Sequence, residues 1–194
     1  MRVDGLLVAG GGSRRFGGDK RKALAGGMTL AERGLALLRA TVDGDLFIAG
    51  QGAFDHPVDA ILVPDADRGA GPLAGLVAAL LRSRSGVLVM PCDSPLVRPD
   101  TLAALATLGR RRGRTVVARS SRGIEPLVAF YPRSALPWLA AGLREGNRAL
   151  HRLLRRLRPL VVQVGDAREM HNVNRAADLD VARRALGEDG GRAG

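Results

Sequence analysis

The residues best equipped for chemistry gather between Gly10 and Lys22. An apolar run, Val3 to Ala9, breaks into Gly10-Gly11-Gly12-Ser13-Arg14-Arg15-Phe16-Gly17-Gly18, followed by Asp19-Lys20-Arg21-Lys22. Glycines let backbone N–H groups approach a ligand closely, and successive N–H groups form a concavity suited to anions. Arginine adds a planar fork that matches phosphate, and lysine adds a mobile point charge. The chemistry indicated is capture of a polyphosphate at the end of a strand. Two commoner phosphate loops do not fit. Gly12 to Gly17 has the spacing of a Walker A loop, but Gly18 and Asp19 stand where Lys and Ser/Thr belong. The dinucleotide fingerprint fails because Gly10 and Gly12 are followed by Arg15 and not by a third glycine. A glycine cluster by itself reads equally well as a surface turn; the basic residues downstream favour a nucleotide loop.

Asp93 is the strongest single candidate elsewhere. It stands in Met90-Pro91-Cys92-Asp93-Ser94-Pro95, where a very apolar run ends in a carboxylate flanked by prolines. A carboxylate there, near a phosphate loop, is placed to hold Mg²⁺, which takes one or two protein carboxylates and completes its shell with water and phosphates. The competing reading is an Asx-turn or helix cap; with the glycine loop present, metal binding leads. Asp65 follows Ile61-Leu62-Val63-Pro64 and precedes Gly69-Ala70-Gly71-Pro72-Leu73-Ala74-Gly75, a small-residue segment through which a nucleoside can approach the backbone. Alone, it reads as a turn and cap. In His171-Asn172-Val173-Asn174 the two asparagines alternate, so an extended backbone puts Asn172 and Asn174 on one side. They suit a metal or substrate shell, or else a turn into the last helix. Glu125 heads the sixth strand and is a candidate for the second substrate. Cys92 has no histidine beside it in sequence and reads as a small buried hydrophobe before it reads as a nucleophile. His56, His151 and the Arg152–Arg158 stretch read as surface.

These residues need a frame. Apolar runs recur at Val3–Ala9, Leu46–Ala49, Ala60–Val63, Val87–Met90, Thr115–Ala118, Leu127–Tyr131 and Leu160–Val164. Helical patterns are expected at Thr29–Ala40, Leu73–Arg82, Asp100–Gly109, Ser134–Gly142, Arg148–Leu157 and Ala176–Leu186. Thr29 with Glu32 reads as a capping box, and Pro72 and Pro99 suit helix starts. Strands alternating with helices predict an α/β protein with a mostly parallel central sheet flanked by helices, in which ligands bind beyond the carboxyl ends of the strands. One domain over residues 1–186 is expected, with a disordered tail over 187–194 (GEDGGRAG).

Composition narrows the function classes. The chain has 194 residues, enough for an ordinary core, and 46% are hydrophobic. Aromatics are only 3%, which argues against single-stranded nucleic-acid binding by base stacking. The net charge is +11, and lysine occurs only at Lys20 and Lys22, both beside the glycine loop. Such a field attracts anionic substrates. An arginine-rich nucleic-acid binder remains the contrasting class, but the basic residues are spread widely, so no nucleic-acid partner is expected. The single cysteine excludes an intramolecular disulfide and a cysteine-rich metal site. No stretch approaches the roughly 20 apolar residues of a membrane span, no signal peptide opens the chain, and a cytoplasmic location is the default expectation.

Taken in order, Arg15-Phe16-Gly17-Gly18, Lys22, Asp65, Gly71-Pro72-Leu73-Ala74-Gly75, Pro91-Cys92-Asp93-Ser94-Pro95 and Asn172-Val173-Asn174 resemble the molybdenum cofactor guanylyltransferase family. The likeness covers roughly residues 3 to 186. It implies a Rossmann-like nucleotidyltransferase fold and transfer of GMP from GTP to the phosphate of molybdopterin, with Mg²⁺ as cofactor. By the same resemblance, Val8, Ala9, Gly10 and Gly11 hold the nucleotide through backbone contacts. Lys22 binds its phosphates, Asp65 contacts the nucleoside, Asp93 ligates Mg²⁺ and Arg15 stabilises phosphate charge. Asn172 and Asn174 order the pterin phosphate or the metal. Lys22 is preferred over Lys20 because Ala23-Leu24 follows it. Molybdoenzymes or their chaperones are the expected recipients of the product, and a monomer or weak oligomer is the expected state. The family often carries asparagines after its second strand; Ile48-Ala49-Gly50-Gln51-Gly52 has none.

Overall fold

The computed structural model describes residues 2–10, 16–50, 59–63, 71–147 and 149–188. Its strands are β1 Asp4–Val8, β2 Leu24–Ala25, β3 Met28–Thr29, β4 Leu46–Ala49, β5 Ala60–Val63, β6 Gly86–Pro91, β7 Val116–Ser120, β8 Gly123–Pro132 and β9 Leu160–Gln163. Its helices are α1 Leu30–Thr41, α2 Pro72–Arg82, α3 Pro99–Arg112, α4 Leu136–Arg144, α5 Leu150–Leu157 and α6 Ala176–Ala185. Among the described residues, seven strands form one sheet in the order β5-β4-β1-β6-β8-β7-β9, and β2 pairs with β3 in a separate hairpin. Neighbours in the sheet run parallel except at β8, which is antiparallel to both β6 and β7. The α/β expectation holds.

The strands read as near-continuous apolar runs because both faces of the sheet are covered. Alternation along β1 sends Leu6 and Val8 to one face and Leu7 to the other. The first face packs with Phe47, Leu73, Leu76, Leu80, Leu139 and Leu153, under α2, α4 and α5. The second packs with Ile48, Leu35, Leu38, Leu102, Leu105 and Phe130, under α1 and α3. Gly75 lets α2 lie close on the sheet, since a Cβ there would overlap the Ala49 methyl. Packing is thus one reason for a glycine in the Gly71–Gly75 segment.

Helix ends follow local chemistry. The Thr29 hydroxyl accepts from the Glu32 N–H at 3.1 Å while the Glu32 carboxylate accepts from the Thr29 N–H at 2.8 Å, the expected capping box. Proline opens α2 and α3, where an N–H would have no helical partner. α3 stops at Gly113, which takes φ +60.

Two features depart from the expectations, and one contact carries the described chain past residue 186. The hairpin β2–β3 turns on Gly26 and Gly27, both with positive φ, within a stretch that read only as an approach to α1. β8 begins at Gly123, well before the expected Leu127, because it pairs with β7 on both sides of a bulge. The chain remains engaged beyond residue 186: the Glu188 carboxylate accepts from the Gly27 N–H at 3.0 Å. Among the described residues no helix is long and apolar enough to cross a membrane.

Candidate active site

The chain runs from β1 out to β4 and β5 on one side and then crosses back to β6 on the other, so the strand order reverses at β1 and a crevice opens beyond the strand ends there. Ladder bonds continue past the last residue of β1. The Ala9 N–H donates to the Ala49 carbonyl at 2.7 Å, and the Cys92 N–H donates to the Val8 carbonyl at 3.0 Å. These backbone groups of Val8 and Ala9 are therefore held by neighbouring strands, and Gly10 stands at the cavity. Gly50 is required beside it: a Cβ there would sit 2.9 Å from the Ala9 carbonyl atoms.

From the end of β6 the chain passes through buried Cys92 to Asp93. The Asp93 Oδ2 accepts from Lys20 Nζ at 2.6 Å, and Lys20 also reaches the Asn174 Oδ1 at 3.4 Å. A 3-10 turn over Lys20–Lys22 sets that contact. Asp19 caps the turn, its Oδ1 accepting from the Arg21 N–H at 3.0 Å, while both carboxylate oxygens accept from the Arg21 guanidinium. That guanidinium holds the Asp19 carboxyl below the usual carboxylate range. Successive residues of such a turn point about 120° apart, so Lys20 and Lys22 leave it in different directions. Lys20 has a side chain only 12% exposed against Asp93, whereas Lys22 is exposed. The geometry thus sets Lys20, and not Lys22, against Asp93.

The asparagine segment meets the same place. Val173 is fully buried with Ala25, Leu30, Leu179 and Ala182, and its N–H donates to the Asp93 carbonyl at 2.7 Å. Burying Val173 turns its neighbours the other way. Asn172 Oδ1 accepts from the Ser94 hydroxyl at 2.6 Å, and Asn174 meets Lys20. The Asp178 carboxylate secures the exit into α6 by accepting from the N–H groups of Asn174 and Arg175, at 2.9 and 2.8 Å. Phe16 packs on the cluster that buries Val173.

β8 supplies the facing wall. Its register with β7 jumps from Val117–Ala129 to Ala118–Glu125, so Pro126, Leu127 and Val128 bulge out of the ladder. The buried Tyr131 hydroxyl donates to the Pro126 carbonyl at 2.8 Å and pins the bulge. Together with Pro72, Leu150 and His151, the bulge encloses a cavity of about 400 Å³ whose polar side carries Gly10, Asp93, Glu125 and Asn172. That volume suits a small-molecule site. Cys92 also borders it, but burial, then the Asp93 charge, pushes its thiol up to about 12. It is protonated at neutral pH and serves packing.

Of the residues the sequence singled out, Val8, Gly10, Asp93, Glu125 and Asn172 border the cavity, and Asn174 reaches Asp93 through Lys20. Ala9 lies behind it, in the ladder. Gly11, Arg15 and Asp65 lie outside the described residues. Sequence reasoning passed over Ser94, which orients Asn172, and His151, which borders the cavity though it read as surface. It also passed over Glu169. This carboxylate is 6% exposed and accepts from the Thr101 hydroxyl at 2.7 Å and the Arg98 N–H at 3.3 Å, tying the turn before Asn172 to the start of α3. Pro126 inside a strand was the available signal for the bulge; Glu169 had none.

The donors around Asp93 are its carboxylate and the amide oxygens of Asn172 and Asn174, which are hard oxygen ligands. Among the described residues no cluster of three or more His, Cys, Asp or Glu could hold a metal by itself. Hard oxygen donors of this kind suit a divalent cation that completes its shell with waters and phosphates.

A family model described as "MobA-like NTP transferase domain" matches residues 5–164. The probable molybdenum cofactor guanylyltransferase of Opitutus terrae is 33% identical, over 93% of this chain and 94% of that protein. The molybdenum cofactor guanylyltransferase of Burkholderia vietnamiensis is 34% identical, over 91% of this chain and 93% of its own. Among solved structures, molybdopterin-guanine dinucleotide biosynthesis protein A from Archaeoglobus fulgidus superposes with a TM-score of 0.79 at 24% identity, covering 96% of this chain and 100% of that one. Family model, relatives and site geometry agree: this chain belongs to the MobA-like NTP transferase family and is a nucleotidyltransferase.

Proposed function

We propose that this protein transfers GMP from GTP to the phosphate of molybdopterin, giving molybdopterin guanine dinucleotide and pyrophosphate, with Mg²⁺ as cofactor. The observation that carries the reading is the meeting of Lys20, Asp93 and the Asn172–Asn174 segment at the mouth of one cavity, beside Gly10. The names of the relatives supply the substrates.

Both reacting groups are anions. The acceptor phosphate is already a nucleophile, so the site needs in-line positioning and positive charge more than a general base. Lys20, swinging from Asp93 to the phosphates, offsets charge on the transferring and leaving groups, and Arg15 is assigned the same task. Asp93, with amide oxygens from Asn172 and Asn174, would hold Mg²⁺, which supplies further neutralisation of phosphate charge when bound. Gly10 and Gly11 offer backbone N–H groups to the nucleotide, and Asp65 its carboxylate to the nucleoside. Glu125 and Asn172, on the side toward β8, orient the acceptor. The Pro126–Val128 bulge supplies an apolar wall that shields the reacting phosphates from water.

Mass spectrometry of products formed from molybdopterin and Mg²⁺, with GTP and CTP in parallel, tests the reading. Guanine dinucleotide from GTP alone is expected. Dinucleotide mainly from CTP would make the protein a cytidylyltransferase with the same site. No product from either, with a folded protein, would refute the acceptor.

A further inference from the structure

Beyond its bulge, the β7–β8 hairpin ends in Arg119-Ser120-Ser121-Arg122-Gly123, with Gly123 at φ +118 in the turn. The Ser120 hydroxyl accepts from the Arg122 N–H at 3.1 Å, which fixes the tip. Between this tip and α5 lies a second recess, about 660 Å³, lined by Arg119, Ser120, Arg122, His151 and Arg155 among others. His151 borders both this recess and the main cavity, and Ser120 below it hydrogen-bonds to Glu125 of the main cavity at 3.5 Å. The two spaces are neighbours across one side chain.

The charge of the recess is not a simple echo of an arginine-rich composition. Elsewhere Arg39, Arg98, Arg168 and Arg183 lie against carboxylates. Among the described residues no carboxylate lines the recess, and Arg119, Arg122 and Arg155 form no ion pair with one. Guanidinium groups gathered without counter-charge over a concave surface focus a positive potential. Two neighbouring hydroxyls add hydrogen-bonding partners.

Sheet order says which substrate this recess faces. From β1 across β6 and β8 to β7, the crevice passes the glycine segment, then Asp93, then the bulge, then the arginine-lined tip. The recess is on the far side of Asp93 from Gly10. A ligand that spans Asp93 and the recess is therefore the partner of the nucleotide.

We propose that this recess binds an anionic group of the acceptor substrate, distinct from the phosphate that reacts at Asp93. The inference rests on the transfer reading above and extends it to the acceptor's far end. An acceptor with its phosphate at Asp93 and its body along the Pro126–Val128 bulge passes His151 and delivers that second anion to Arg119, Arg122 and Arg155.

The test is the triple variant Arg119→Gln/Arg122→Gln/Arg155→Gln, with folding checked by urea denaturation. The expected result is a KM for molybdopterin raised roughly tenfold or more, from three solvent-facing charge contacts. The KM for GTP and the kcat at saturating acceptor should stay within about twofold. Equilibrium dialysis of molybdopterin without nucleotide should show the same loss, and the triple Arg→Lys variant should regain part of it. Should the triple variant not fold, Arg122→Gln alone should raise the KM for molybdopterin about threefold. An unchanged molybdopterin KM in a folded variant overturns the inference alone, as does an equal rise in the KM for GTP. A wild-type protein that binds GTP but does not bind molybdopterin overturns the acceptor assignment, and this inference with it.

Discussion

Replacing Lys20 by Met discriminates most sharply between the two lysines. Lys20 Nζ lies 2.6 Å from Asp93 Oδ2, and the two side chains are 12% and 18% exposed. At an effective dielectric of 20, unit charges that close attract by about 6 kcal/mol, most of which offsets their loss of hydration. The pair is neither on the open surface nor fully enclosed, so its net loss falls between the two measured regimes, at about 1–3 kcal/mol of folding stability. Catalysis should suffer more. A donor aimed at developing phosphate charge is worth about 3–4 kcal/mol in the transition state, so Lys20→Met should lower kcat/KM by roughly 10²–10³-fold. Lys22→Met removes an exposed charge and should stay within about threefold of wild type. Steady-state kinetics on both variants, with urea unfolding to confirm that each is folded, decides the matter. A damaging Lys22→Met beside a harmless Lys20→Met would refute the argument from the 3-10 turn.

Asp93→Asn should abolish turnover, by roughly a thousandfold or more, and weaken Mn²⁺ binding in calorimetry, at a folding cost no larger than the about 1–3 kcal/mol of Lys20→Met, since it breaks the same pair; retained metal affinity in the folded variant would remove Asp93 from the ligand set. Cys92, with its thiol pushed up to about 12, should react with iodoacetamide at pH 8 about a hundredfold or more slower in the folded protein than in urea, and Cys92→Ser should keep its kcat. Glu169→Ala leaves the Thr101 hydroxyl and Arg98 N–H without their acceptor and should cost about 1–3 kcal/mol in urea unfolding, with Glu169→Gln milder. Asp19 titrates lower in the folded chain than in the unfolded one, so its contribution is present above the ordinary carboxylate pKa and lost as pH falls through the folded value. Asp19→Asn should therefore be less stable than wild type at pH 7 by up to about 1 kcal/mol, and the gap should close below about pH 4.

The legible parts of the molecule were those where one local rule suffices. The Thr29–Glu32 box, Pro72 and Pro99 at helix starts and the apolar strand runs each follow from residues a few positions apart. The Asn172/Asn174 alternation was legible too, because the period of an extended chain is local; the burial of Val173 then turns both amides toward Lys20 and Ser94. That Lys20 and not Lys22 lies against Asp93 depends on a turn capped by Asp19 through the Arg21 N–H. The small pattern Ala23-Leu24 could not convey it. Ser94 and Glu169 act on partners dozens of residues away, and such pairings leave no periodic trace in a single sequence.

The reversed strand explains why Glu125 borders the cavity at all. In a parallel sheet, residues reach the crevice by following the carboxyl end of a strand, as Gly10 follows β1, Asp93 follows β6 and Asn172 follows β9. β8 runs the other way between β6 and β7, so it is the beginning of this strand that lies at the crevice. Its first half can therefore project into the cavity without a connecting loop. The bulge does the projecting: three residues beyond the ladder's requirement must leave the plane of the sheet, and the Tyr131 hydroxyl fixes where they go. A bulge held between two paired stretches of strand and anchored by a tyrosine from one of them builds a well-defined wall. The hairpin tip lies past that wall. The backbone that carries Arg119 and Arg122 is thus placed beyond the wall by the β7–β8 ladder and the Ser120–Arg122 hydrogen bond, where the far end of an acceptor would meet it.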